Sequence, residues 1–341
     1  MNNKLVQKFK QQWVENPLFS TLMALIVMII LQTFALGFDY ASFGDWLSAW
    51  VNNWLNILRN NAGVGIVALG MTFVIISGGI ELAVGSTLVA VSALLMTLMD
   101  TGPYGPLTNM GITGIPAILI AIVASLIFGT LLGTLTGGLI AKFNIPPFIA
   151  TLGTMKIFRS VTQHFMQTRS TMIPVDFLKI SNFRIGGMYL LPIIYWLILA
   201  IILIYVANKT LFGRRVYAIG SNPRAAKLSG INIARTKIAI YALIGLLVAI
   251  ASIIQVSRIG SMDYANAGSG YEMDAIAAVI VGGTSMSGGR GSIQGTVLGM
   301  IIIAVMNNLL NLLGVPPFLR EAFKGAIVIF AVLLQRKEQT S

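Results

Sequence analysis

The chain contains no cysteine, a single histidine and little charge: Asp, Glu, Lys and Arg together make up 10% of its residues. Each shortage excludes something. Without cysteine there is no disulfide, no thiolate metal site and no cysteine nucleophile. The lone imidazole, His164, builds neither a metal site nor a relay. No G-x-S-x-G elbow, H-E-x-x-H pair or G-x-x-x-x-G-K-[ST] loop occurs, so hydrolytic chemistry and a phosphate cradle are both missing. The shortage of charge excludes most. Soluble domains carry about 25% charged residues, and a chain with so few cannot cover a water-facing surface.

What is present is hydrophobic: 56% of 341 residues, with mean hydropathy +0.84. No polar stretch is long enough for a soluble domain, so residues 1–341 read as a single transmembrane domain. Its apolar runs have helical length and predict about ten spans. They fall near 18–37, 62–79, 84–99, 115–140, 147–165, 190–207, 238–256, 274–288, 294–313 and 320–335. Continuous rather than alternating apolar character marks helices, not barrel strands. The expected class is all-α, a polytopic membrane protein with some helices broken or re-entrant. Residues 46–58 (WLSAWVNNWLNIL) stand apart, their tryptophans predicting an interfacial helix on the outer face.

The net charge of +12 sits at the ends of apolar runs rather than in a stripe with aromatics. Membrane lipid is therefore the implied partner and nucleic acid is excluded. The segment 1–17, with Lys4, Lys8 and Lys10, reads as cytoplasmic, and the run after it is too long for a signal-peptide core. Ten spans then return the C-terminus to the same side. This arrangement puts 14 of the 23 basic residues inside and eight of the eleven acidic residues outside.

Three breaks carry the candidate functional residues. The first is GMTFVIISGGIELAVGS, 70–86. Gly78 and Gly79 let the backbone turn, Ser86 suits a helix cap, and Glu81 is a carboxylate beside the membrane. It reads either as a tight cytoplasmic turn or as a gate lining a solute path. The second is GSGYEMDAIAAVIVGGTSMSGGRGSIQGTVLG, 268–299. Glu272 and Asp274 open a helix there, as caps or as contacts for an external protein, and Gly282, Gly283 and Thr284 form a further break. The two glycine pairs echo each other, as in transporters built from inverted repeats, although close helix packing also calls for glycine.

The third break is the basic loop 209–237. Ser221 or Asn222 caps a short helix whose first turn holds Pro223, followed by Arg224, Ala225, Ala226, Lys227 and Leu228. Ser229 and Gly230 end it. Such a helix lies along the cytoplasmic surface, where it attracts anionic lipid or seats a protein. The defined cap and stop favour the protein. Lys156 and Arg159, three residues apart in the span 147–165, are expected to face inward, to snorkel, or to pair with Glu81.

These segments resemble the permease subunit of bacterial ribose-type ABC sugar importers. The matching stretches are GMTFVIISGGIELAVGS, FGRRVYAIGSNPRAAKLSGINIARTKIAIYALIG, GYEMDAIAAVIVGGTSMSGGRGSIQGTVLG and NNLLNLLGV, in family order, and the likeness runs from about Leu55 to the C-terminus. The resemblance implies a membrane subunit that works with a second copy or paralogue and two cytoplasmic ATPase domains. An extracytoplasmic sugar-binding protein would deliver the cargo. ATP-Mg would be bound by the ATPase partner, and no cofactor by this chain. The stretch Asn222–Gly230 corresponds to the helix that seats in the ATPase. The family pattern has Asp where Glu81 stands and an apolar residue where Lys156 stands, while Arg159 agrees. An ion-gradient-driven transporter would want intramembrane carboxylates, of which Glu81 alone is near membrane depth, and a scaffold would leave the ordered glycine breaks without purpose.

Overall fold

The computed structural model describes residues 17–340 other than 168 and 170; the expected N-terminal segment, before Pro17, lies outside the described residues. Among the described residues the regular structure is helical, with one isolated bridge between Ile185 and Met188. The helices are α1 (Pro17–Leu36), α2 (Phe43–Ile76), α3 (Val84–Leu98), α4 (Pro106–Asn109), α5 (Gly114–Lys142), α6 (Pro147–Met166) and α7 (Val175–Asn182). They continue as α8 (Leu191–Lys209), α9 (Leu211–Ser221), α10 (Pro223–Leu228), α11 (Ile233–Ile259), α12 (Tyr271–Val281), α13 (Ile293–Leu312) and α14 (Pro317–Thr340). Six of them, α1, α2, α5, α8, α11 and α13, are long and apolar enough to cross a membrane.

The core is built on α2 and α11, which run antiparallel. Arg258 near the end of α11 donates to Asn60 in the middle of α2, while Tyr241 near its start bonds the Ile80 carbonyl just beyond the other end of α2. Residues Ala62–Ile76 of α2 are buried without interruption. This helix differs from the expectation of an interfacial helix at 46–58 followed by a separate span. The polar residues at the supposed boundary do not break it because each has a partner. Arg59 donates to Asn182 and lies over the Tyr189 ring, Asn60 accepts from Arg258, and Asn61 returns its amide to Ile57. The expected span 274–288 also differs. Its helix stops at Val281, because Gly283, Gly288 and Gly289 all take positive φ in the loop that follows.

Each helix of this pair opens a triplet. In one, α2 leads through a break to the short α3 and on to α5; in the other, α11 leads through a break to the short α12 and on to α13. The short helices are exchanged: α3 packs on α11, and α12 packs on α2. The partner of the Gly78–Gly79 break is thus the segment 260–270. Gly282–Gly283 lies at the same end of the molecule as Gly78, with Gly288 close against Ile76 and Gly78.

The tightest seam joins α5 to α11. Gly129, Gly133 and Gly137 recur every fourth residue and bring α5 onto Gly245, Tyr241 and Ile238. A side chain at Gly133 would overlap the Tyr241 carbonyl, and one at Gly245 the Gly129 carbonyl. Small residues at this spacing allow backbones to approach where lipid provides no hydrophobic drive. Gly133→Val is therefore expected to lower the midpoint of thermal unfolding of the purified protein, since overpacking against backbone costs about 1–3 kcal/mol. Gly138→Val on the same helix meets open space and should leave the midpoint unchanged. Equal midpoints for the two variants would contradict the seam.

Candidate functional site

The site begins where two helices fall short. At 15 and 11 residues, α3 and α12 are about 22 and 16 Å long, against a hydrocarbon core of about 30 Å. Their N-terminal ends meet inside the protein, where the Gly85 backbone lies against that of Gly268 with no space for a side chain on either. One carboxylate oxygen of Glu272 lies 3.3 Å from the place a Gly85 side chain would take. Helix N-termini present unpaired N–H groups and a positive dipole end, so two of them facing one point make an acceptor-seeking junction.

Acidic side chains and one guanidinium complete it. Glu81 is buried, and its Oε1 accepts from the Ala83 N–H at 2.6 Å. Ser86 does not cap α3; the helix already starts at Val84 with Ala83 in the cap position, which places Ser86 inside its first turn. Arg159 reaches from α6 to the carbonyls of Ala267, Tyr264 and Ala265 at 2.7, 3.3 and 3.4 Å. The guanidinium thereby holds the unwound segment ahead of α12. In the same segment Asp263 accepts from the Asn266 side chain and the Ala265 and Asn266 N–H groups, which hold its carboxyl below the usual range.

Glu272 and Asp274 both lie in the first turn of α12. Asp274 is bound to Lys324 of α14 at 2.9 Å, and Lys324 also bonds Glu321. Glu272 thus stands at the Gly85 junction and Asp274 in an ion pair, both of them half-buried. Lys156 and Arg159 do not act together either: Arg159 turns to the carbonyls, Lys156 is exposed, and neither reaches Glu81.

At the basic end stands a second group. Thr210 caps α9 through the Gly213 N–H, and Val216 and Ile219 bury its inner face while Arg214 and Arg215 stay exposed. Asn222 caps α10 by accepting from the Ala225 N–H at 3.0 Å, as its sequence predicts. Gly230, at φ +81°, ends it, and Asn232 caps α11 through Arg235. Pro223, Arg224, Ala225, Lys227, Leu228 and Ser229 are all exposed, and only Ala226 packs inward. Leu228 is 90% exposed beside two cations.

Sequence reasoning missed how α9, the helix before α10, is anchored. The Gly289 N–H donates to the Ile76 carbonyl at 2.8 Å, and the Tyr217 hydroxyl donates to the Gly291 carbonyl at 2.9 Å. Gly220 packs against the Ile76 carbonyl and the Gly289 nitrogen, and Gly289 against Ser221. Three chain segments thus meet backbone to backbone: the end of α2, the end of α9 and the loop 282–292. Within that loop Gly282 packs on Gly295 of α13, and Thr284 is buried against Gly291. The run SGGRG in the sequence was the available signal. It looks like an anion loop, yet its glycines serve close packing.

The comparisons agree with this geometry. The family described as branched-chain amino acid transport system / permease component matches residues 53–332. The ribose import permease protein RbsC of Bacillus subtilis (strain 168) is 44% identical over 84% of this chain and 85% of its own length. RbsC of Escherichia coli (strain K12) is 38% identical over 85% and 87% of the two chains. The galactose/methyl galactoside import permease protein MglC of Haemophilus influenzae is 36% identical over 83% and 85%. No solved structure matches the chain. Six membrane-length apolar helices and relatives that are import permeases make this an inner-membrane transport component, not an enzyme. With the family's match running from the middle of α2 into α14, the chain belongs to the permease components of this transport family.

Proposed function

We propose that the chain is the membrane subunit of an ATP-driven ABC importer that moves a monosaccharide of the ribose or galactose class. The cargo class is drawn from the names of the relatives. In this reading α3, α6, α12 and α14 join the six long helices to make about ten crossings, counting the two short ones as half-spans. Both ends of the chain face the cytoplasm, as does α10. Two copies assemble with two ATPase domains below, and a sugar-binding protein delivers cargo above.

One observation carries the reading: α10 is exposed, capped at its start and stopped by glycine, and it follows directly on α9, whose C-terminal end meets both helix breaks backbone to backbone. Force applied at Arg224, Lys227 and Leu228 travels through α9 to Gly220. From there the Ile76 carbonyl leads to the Gly78–Gly79 break and α3, while Gly289 leads to the Gly282–Gly283–Thr284 break and α12. Closure of the ATPase pair would then shift both half-helices at once and turn the Gly85–Gly268 junction from one side to the other. ATP-Mg belongs to the ATPase, since the glycine loop of this chain is filled by its own backbone neighbours.

A carrier driven by an ion gradient would need a carboxylate free to take the ion. Here Asp274 is taken up by Lys324, and one oxygen of Glu81 is taken up by the Ala83 N–H. Vesicles holding this chain alone, energised by a proton or sodium gradient, are therefore expected to take up no ribose, whereas adding the ATPase, binding protein and ATP restores uptake. Gradient-driven uptake without the partners would overturn the importer reading.

Two sets of substitutions test the parts. Arg224→Glu with Lys227→Glu should leave membrane insertion intact while ATP hydrolysis no longer produces uptake. Unchanged transport would remove α10 as the docking element. At the first break, Gly78 has φ +76° and a side chain on Gly79 would press on the Tyr241 hydroxyl. Gly78→Val with Gly79→Val should reduce uptake at least about tenfold, the effect of ~1.4 kcal/mol on a rate, and more than it reduces the amount of protein in the membrane. Normal uptake would leave those glycines only a packing role.

A further inference from the structure

Helix α6 has three faces, and one has no place in lipid. Ala150, Thr151, Thr154, Phe158, Thr162 and Met166 are buried, and the helix packs on α3. Ile157, Val161 and Phe165 recur every fourth residue and are exposed. Lys156, Ser160, Gln163 and Gln167, spaced by four, three and four, fall on the remaining face. Lys156, Ser160 and Gln167 are exposed, and Gln163 half so.

Lys156 is the tenth of the twenty residues of α6, so it stands about 15 Å from either end. Its ammonium has no acid: among the described residues the ion pairs are those of Lys179 and Lys324. The neighbouring cation, Arg159, is turned inward to three carbonyls. A lysine facing hydrocarbon in mid-span costs about 2.5–3.5 kcal/mol even on insertion scales. Since the Ile157–Val161–Phe165 face already suits lipid, the polar face looks onto water.

We propose that the face Lys156–Ser160–Gln163–Gln167 of α6 lines a water-filled solute path, and that Lys156 sets its selectivity. The ammonium donates to hydroxyl or carboxylate oxygens and repels cations, so neutral or acidic polyhydroxylated solutes pass while protonated amino sugars are held back. The inference rests on the importer reading only in that α6 crosses the membrane; its test needs neither ATP nor a sugar.

The absence of cysteine gives single-cysteine variants a silent background. Ser160→Cys, in membranes holding the full chain, is exposed to two impermeant thiol reagents of opposite charge, sulfonatoethyl and trimethylammonioethyl methanethiosulfonate. Each rate is divided by that reagent's rate on a free thiol, which removes the intrinsic difference between the reagents, and the ratio of the two at one site cancels its fraction of thiolate. The expected result is labelling that favours the anionic reagent by on the order of tenfold, a preference that disappears when Lys156→Gln is added. Val161→Cys on the apolar face should stay unlabelled. If Ser160→Cys does not accumulate, Gln167→Cys replaces it. A stripe that labels no faster than Val161→Cys is dry, and a charge preference that survives Lys156→Gln has another source; either result overturns the proposal. A complex that labels as expected yet imports no sugar would count against the importer reading and leave this one standing.

Discussion

Every structural choice in this chain follows from one constraint: in lipid, backbone N–H and C=O groups must find partners within the protein. An unbroken helix meets that demand alone. A broken one meets it only where other protein covers the break, and here the cover is backbone from another break. Gly85 lies against Gly268, Gly289 donates to Ile76, and Gly220 closes over both. Glycine stands at these points because any side chain would hold the two backbones apart. The carbonyls of Tyr264, Ala265 and Ala267, freed ahead of α12, are taken up by Arg159. The breaks are thus stable as built, yet their bonds are few and local, which lets them shift without unfolding the spans around them.

Movement of solute follows from where those weak points are. The half-helices α3 and α12 meet end to end, so a small tilt of either changes what lies between them. Both are reached from one surface, because the end of α2 and the loop before α13 share a single contact with the end of α9. The same arrangement explains why the protein needs no catalytic group of its own. Its chemistry is mechanical, and its charges either hold segments together, as Lys324 does for Asp274, or stay outside, as Arg224 and Lys227 do.

Much of this was legible in the residues. The apolar runs placed nearly every long helix, and Asn222, Pro223 and Gly230 bounded α10 correctly because capping is local chemistry. What depended on distant partners was not legible. Arg59 and Asn60 look like the end of a span, yet Asn182 and Tyr189 take up the first and Arg258 the second, and α2 runs through. Ser86 has the right chemistry for a cap, but the helix begins two residues earlier, at Val84, where Glu81 fixes the entering chain through the Ala83 N–H. The glycine pairs at 78–79 and 282–283 invite pairing as equivalent repeats. Only the packing reveals that the counterpart of the first is 260–270, where glycines are scattered and a guanidinium supports the chain.

The central claim is that force entering at α10 reaches both breaks through the contact of Gly220 with Ile76 and Gly289. Gly220→Ala tests it directly: alanine suits the helix itself better than glycine does, so any loss must come from the contact. The measurement is sugar imported per ATP hydrolysed by the assembled complex. The expected result is a variant that still binds its ATPase and hydrolyses ATP while the ratio collapses. A ratio equal to that of the unaltered chain would contradict the account.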